Sequence, residues 1–124
     1  NSSELTQAAQ SLVEKADAIF TPTDNTVASA MPILSAEAHK AGIPVYTGAD
    51  SMVIDGGFAT VGIDYTILGR QVAEIVKKVI DGVEISNIPA ETLSEFTTIV
   101  NSTTAKKIGL ELSEEQLEIF QIVE

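Results

Sequence analysis

The chain has no cysteine and no tryptophan, one histidine, and seven basic residues against eighteen acidic ones in 124 positions. Each shortage excludes something. Without cysteine there is no disulfide, no thiol nucleophile and no zinc–thiolate site. A single histidine, His39, leaves no metal triad and no nucleophile–base pair to assemble. It falls beside Lys40 on the polar side of a predicted helix, and we read it as a surface residue. The net charge of −11 argues against a nucleic-acid or anionic-membrane partner. Basic residues adjoin only at Lys77-Lys78 and Lys106-Lys107. No apolar run is long enough to span a bilayer. Gly56-Gly57 lacks the strand–loop–helix setting of a dinucleotide site, and no phosphate-loop pattern exists. No catalytic residues, metal ligands or cofactor are therefore expected. Asn101-Ser102-Thr103 fits the glycosylation sequon, a match that is frequent by chance.

What remains is 44% hydrophobic, enough for one buried core and one domain over residues 1–124. Leu5, Ala8, Ala9, Leu12, Val13 and Ala16 recur at helical spacing and predict a helix over Glu4–Lys15, capped by Ser2 or Ser3. A strand follows at Ala18–Thr23, with Phe20 in the core. A helix opens near Thr26 and ends at Gly42 before Pro44. Pro32 interrupts it, so a kink or a later start is expected. Val45–Thr47 is a second strand, Asp50–Ile54 a short helix, and Phe58–Ile63 a third strand. Asp64 caps a long helix with Leu68, Val72, Ile75, Val76, Val79 and Ile80 turned inward. After the connector at Ile85–Pro89 come a strand at Thr97–Val100 and a short helix through Lys107. A last helix opens on the capping box Ser113-Glu114-Glu115-Gln116 and runs to about Gln121. Strands alternating with helices indicate an α/β fold, a parallel sheet in a three-layer sandwich. The first three strands are expected to be parallel neighbours.

These three strands each run into an aspartate at a helix or turn: Asp24, Asp50 and Asp64. The carboxyl end of a parallel sheet is where such folds place ligands. Thr23, Asp24, Asn25, Asp50, Ser51, Asp64 and Tyr65 are the candidate ligand-binding residues. The three aspartates are expected to share one edge, although each taken alone reads better as a helix N-cap. Tyr65 could stack on an aromatic ligand or pack at its helix start. With the catalytic inventory nearly empty, these groups favour a binding module over an enzyme.

Several runs resemble one family: Ala16-Asp17-Ala18-Ile19, Pro22-Thr23-Asp24-Asn25-Thr26-Val27, Gly42-Ile43-Pro44-Val45, Gly62-Ile63-Asp64-Tyr65 with Gly69, and Asn101 through Ala105 with Leu110. Together they are similar to the solute-binding proteins of ABC importers, in the tryptophan- and tyrosine-binding branch with the type I periplasmic-binding-protein fold. The resemblance implies capture of an aromatic amino acid or similar small molecule between two lobes that close about a hinge. It implies an ABC permease as the partner of the complete receptor and an extracytoplasmic location. It also implies that this chain is a partial C-terminal lobe, that 64–82 is an inter-lobe helix, and that 97–124 is the lobe's C-terminal strand and helices. The N-terminal lobe and any leader fall outside the chain. It opens at Asn1 and is read as a processed or excised segment. Alone, such a piece is expected to self-associate through the long helix's apolar stripe and to bind free ligand weakly. A receiver-like signalling domain and a small α/β enzyme are the alternatives.

Overall fold

The structure, a computed structural model, describes residues 2–93 and 95–124. The side chains of Ser2 and Ser3, the expected caps of the first helix, lie outside the described set. The elements run α1 (Ser2–Val13), β1 (Ile19–Thr21), α2 (Asn25–Ser29), α3 (Met31–Ala41), β2 (Val45–Thr47), α4 (Asp50–Ile54), β3 (Ala59–Gly62), α5 (Tyr65–Ile80), β4 (Thr97–Asn101), α6 (Ser102–Lys107), α7 (Glu114–Ile119) and β5 (Gln121–Val123). They form two compact units. One runs to Gly62 and resumes at Thr97; the other is Ile63–Phe96.

The first unit holds a single sheet in the order β1-β2-β3-β4-β5. β1, β2 and β3 are parallel neighbours, as the apolar strands and helical crossovers led us to expect. β4 runs antiparallel to β3, and β5 is parallel to β4. The register aligns Phe20, Tyr46, Ala59, Val100 and Ile122 in one row across all five strands. Side chains alternate faces along a strand, so Ile19, Thr21, Val45 and Thr47 point the other way, and all four are buried.

That second face carries the larger core. Ala9 of α1, Met31, Leu34 and Ala38 of α3, and Met52 of α4 close over Ile19 and Val45. On the first face, Phe58, Ala59 and Val100 pack with Ala105, Ile108, Leu112, Phe120 and Ile122. This layer covers the β3–β5 part and leaves the β1–β2 part open. Phe20 on β1 is consequently 69% exposed; on β3, Val61 is also 70% exposed. The expectation of a core Phe20 fails because it assumed a sheet covered along its whole width.

Pro32 acts as a boundary. Its ring permits the first turn of a helix but not the interior. The chain therefore breaks at Ala30, and α3 starts afresh with the proline in its first turn. Gly42 ends α3 in the left-handed conformation, φ 69°, which a residue without Cβ adopts at no steric cost. The final helix stops at Ile119, short of the expected Gln121, and Gln121–Val123 pair with β4. Ile122 and Val123 have the alternation and β-propensity of a strand, which the capping box upstream obscured.

In the second unit, Asp64 caps α5 and Gly82 lies just beyond its C-terminal end. α5 has no buried residue, and Val72, Val76, Val79 and Ile80 are exposed. The inward stripe expected from the sequence is thus a solvent-facing one here. Gln71 bonds to Glu91 and to the Thr92 carbonyl, and Lys78 pairs with Glu91 at 3.1 Å. These contacts tie the connector back onto the helix.

Two polar side chains, one buried and one half-buried, fasten the first unit. Asn101 accepts from the Thr104 amide at 2.8 Å, capping α6, and donates to the Val53 carbonyl at 3.0 Å. It is buried and fully engaged, so the sequon there presents no exposed acceptor. His39 is not the free surface residue expected. Its Nε2 lies 3.0 Å from the Gly56 carbonyl, joining α3 to the turn after α4. Burial lowers its pKa below the ordinary 6.5, outweighing the bond to Gly56, and Lys107 adds to the lowering.

Two outcomes follow. Asn101→Ala removes a cap and strands a buried carbonyl, and should cost about 2–4 kcal/mol in urea unfolding. A loss within 0.5 kcal/mol, roughly the surface norm, would show that neither bond matters. His39 is held neutral in the folded state, so its contribution is fully present above pH 6.5, the unfolded value, and falls away as pH drops from there toward the lowered folded value. Wild type should lose more stability between pH 7.5 and 5.5 than His39→Gln does; identical losses by denaturant titration would refute this.

Candidate functional site

The parallel strands β1 and β2 end side by side, and their C-terminal ends carry the same short pattern. Thr21-Pro22-Thr23-Asp24 leads into α2, and Thr47-Gly48-Ala49-Asp50 leads into α4. Thr21 and Thr47 are register partners. The Gly48 amide donates to the Thr21 carbonyl at 2.9 Å, extending the pairing one step past the strands. A Cβ on Gly48 would sit 2.6 Å from Thr23 Oγ1 and 2.9 Å from the Thr23 amide nitrogen. Only a glycine lets the two loops approach this closely.

Asp24 is the N-cap of α2. Its Oδ1 accepts from the amides of Thr26 at 2.8 Å and Val27 at 3.1 Å. The Val27 and Thr26 amides hold its carboxyl below the usual carboxylate range, so it is ionised at neutral pH. Thr23, Asp24 and Asn25 are exposed on the first unit's surface. Asp50 differs from Asp24. The N-cap of α4 is Ala49, and Asp50 is the first helical residue, with Oδ1 accepting from the Ser51 amide at 2.7 Å. Simple capping therefore explains Asp24 but not Asp50. Asp50 is half-buried and Ser51 exposed.

Asp64 caps α5 in the manner of Asp24, accepting from Thr66 at 2.7 Å and Ile67 at 3.1 Å. Tyr65 follows it and is 57% exposed. Both belong to the second unit. Thr23, Asp24, Asn25, Asp50 and Ser51 thus lie on the first unit's strand-end loops, and Asp64 and Tyr65 on α5.

Sequence reasoning missed the layer beneath these loops. Thr21, Thr47 and Thr60 are all buried; Thr21 and Thr47 close β1 and β2, and Thr60 lies within β3. Thr60 Oγ1 donates to the Thr47 carbonyl at 2.6 Å, and Thr47 Oγ1 donates to the Ala49 carbonyl at 2.9 Å. The signal was present as a threonine three residues before Asp24 and Asp50, and four before Asp64. Among the described residues, no cluster of three or more His, Cys, Asp or Glu side chains could hold a metal ion.

The comparisons bear on what such an edge binds. The chain is 39% identical over 110 residues to a tyrosine-binding protein of Clostridioides difficile, a match covering 89% of this chain and 32% of that protein. It superposes on the ligand-free, open structure of a substrate-binding protein with adhesive properties from Clostridium difficile with TM-score 0.85 and 36% identity, covering 100% of this chain and 41% of that one. An ABC domain from Streptococcus pneumonia, solved in complex with L-Trp, gives TM-score 0.83 at 28% identity, covering 99% and 42%. The chain thus spans about a third of the length of its tyrosine-binding relative, and the superposed part is a partial lobe. The family model described as ABC transporter substrate binding protein matches residues 1–121, and the chain belongs to that family.

Proposed function

We propose that this chain supplies one wall of the ligand cleft of an ABC-importer solute receptor that captures an aromatic amino acid between two lobes. The observation that carries the reading is the pair of Thr-x-x-Asp loops, held together by Gly48 at the carboxyl ends of parallel strands. Relatives that bind tyrosine or L-Trp support the ligand class. The mechanism is capture without bond-making. Asp24, ionised, suits the ligand's ammonium group. Asn25 and Ser51 offer both donors and acceptors for its polar groups, and Thr23 and Asp50 flank them. Asp64 and Tyr65 are carried as ligand residues on the family resemblance alone, Tyr65 as a stacking partner for the ring. An extracytoplasmic location and an ABC permease as partner belong to the same reading.

The sheet weakens the receiver-like alternative. Flavodoxin-like signalling domains order their strands 2-1-3-4-5, whereas this sheet runs in sequence order with β4 antiparallel.

In the complete receptor, L-tyrosine or L-tryptophan should bind measurably by calorimetry. Asp24→Ser keeps a capping oxygen and removes the charge, so it should retain stability and lose about tenfold or more in affinity. Asp24→Ala should show that same loss of affinity and, in addition, about 1 kcal/mol less stability. An Asp24→Ser receptor binding as well as wild type would reduce Asp24 to a cap. For the chain by itself, the exposed α5 stripe fits the reading of 64–82 as an inter-lobe helix. We expect the isolated chain to self-associate at micromolar concentration in light scattering and to bind amino acid only weakly. A strictly monomeric chain with tight binding would overturn the two-lobe reading.

A further inference from the structure

The strands β2 and β3 are barely paired. Their ladder registers one pair, Tyr46 with Ala59, against three pairs for β1–β2 and four for β3–β4. Past that pair no further residues of the two strands are in register, and a side chain bridges them. Thr60 Oγ1 donates to the Thr47 carbonyl at 2.6 Å, in a place where Thr60 is 3% exposed. Glycines clear the space around this bond. A Cβ on Gly62 would crowd Thr60 Cγ2 at 3.1 Å and Oγ1 at 3.2 Å, and one on Gly57 would meet Thr47 Cγ2 at 2.6 Å. Thr47 passes the restraint onward, because its own hydroxyl donates to Ala49, the residue before Asp50.

We propose that Thr60 is a positioning residue. Its hydroxyl sets the separation of the β2 and β3 carboxyl ends, and with it the placement of the Gly48–Ser51 loop and the ring sizes the edge accepts. This rests on the reading of that edge as an amino-acid site. A backbone ladder would fix the strands at ladder spacing. Here a side-chain tether takes that place, in a buried bond that has no water to compete with it.

The test uses the complete receptor with Thr60→Val, which keeps the branched shape and removes the donor, and Thr60→Ser, which keeps the donor. Affinities for L-tyrosine and L-tryptophan are measured by calorimetry well below both melting temperatures. Thr60→Val should lose about tenfold in affinity and change the tryptophan-to-tyrosine ratio, while Thr60→Ser stays within about twofold of wild type. A Thr60→Val receptor that melts lower but keeps both the affinity and the ratio would overturn the proposal, since a purely structural bond moves only the melting temperature. If wild type bound neither amino acid, the functional reading would fail by itself. Amide exchange then decides the positioning role. Exchange at Gly48–Ser51 that quickens in Thr60→Val but not in Thr60→Ser, relative to α1, supports it; equal exchange in both refutes it.

Discussion

The close approach of two loops at Gly48 is the constraint on which the rest of the edge depends. Thr23 fills the space where any other residue's Cβ would sit, so the ends of β1 and β2 meet without a spacer. The Gly48 amide then finds the Thr21 carbonyl and prolongs the pairing. From that junction α2 and α4 both start, and with them the positions of Asp24 and Asp50. The two helix starts follow from one junction because a glycine permits their strands to finish together.

Burial on one face supplies the stiffness behind this edge. Met31, Leu34, Ala38 and Met52 pin Ile19 and Val45 from below, and a one-residue slip of either strand would turn those apolar side chains to solvent. The opposite face is filled only where α6 and the last segment reach it. Phe20 and Val61 remain largely uncovered, and Tyr46 partly so. The sheet is therefore packed on one face and half-dressed on the other. Both features are consistent with a partial lobe that spans about 41% of a superposable receptor.

Much of the first unit was legible from periodicity and punctuation. Pro44, Gly42 and the capping box at Ser113 mark boundaries by local backbone chemistry, and local chemistry survives folding. The parallel order of β1–β3 followed from helical crossovers of ordinary length. Less local features were hidden. The exposure of Phe20 depends on what covers a sheet, and no pattern within five residues encodes that. β5 is a three-residue strand that exists because β4 offers it an edge. His39 looked like a surface residue because its partner, the Gly56 carbonyl, is distant in sequence. At the candidate site, the aspartates were visible as residues following strands. The threonine layer below them was not, because Thr at a strand end reads as propensity until hydroxyl partners can be seen.

The account's central claim is that the ligand sits at the Gly48 junction. The most direct measurement is a structure of the complete receptor with L-tyrosine or L-tryptophan bound. The account predicts the amino acid within hydrogen-bond distance of the Thr23–Asn25 loop and the Asp50–Ser51 turn, with Thr60 still bonded to the Thr47 carbonyl. A ligand seated on the open face at Phe20, Tyr46 and Val61, or touching neither loop, would contradict it.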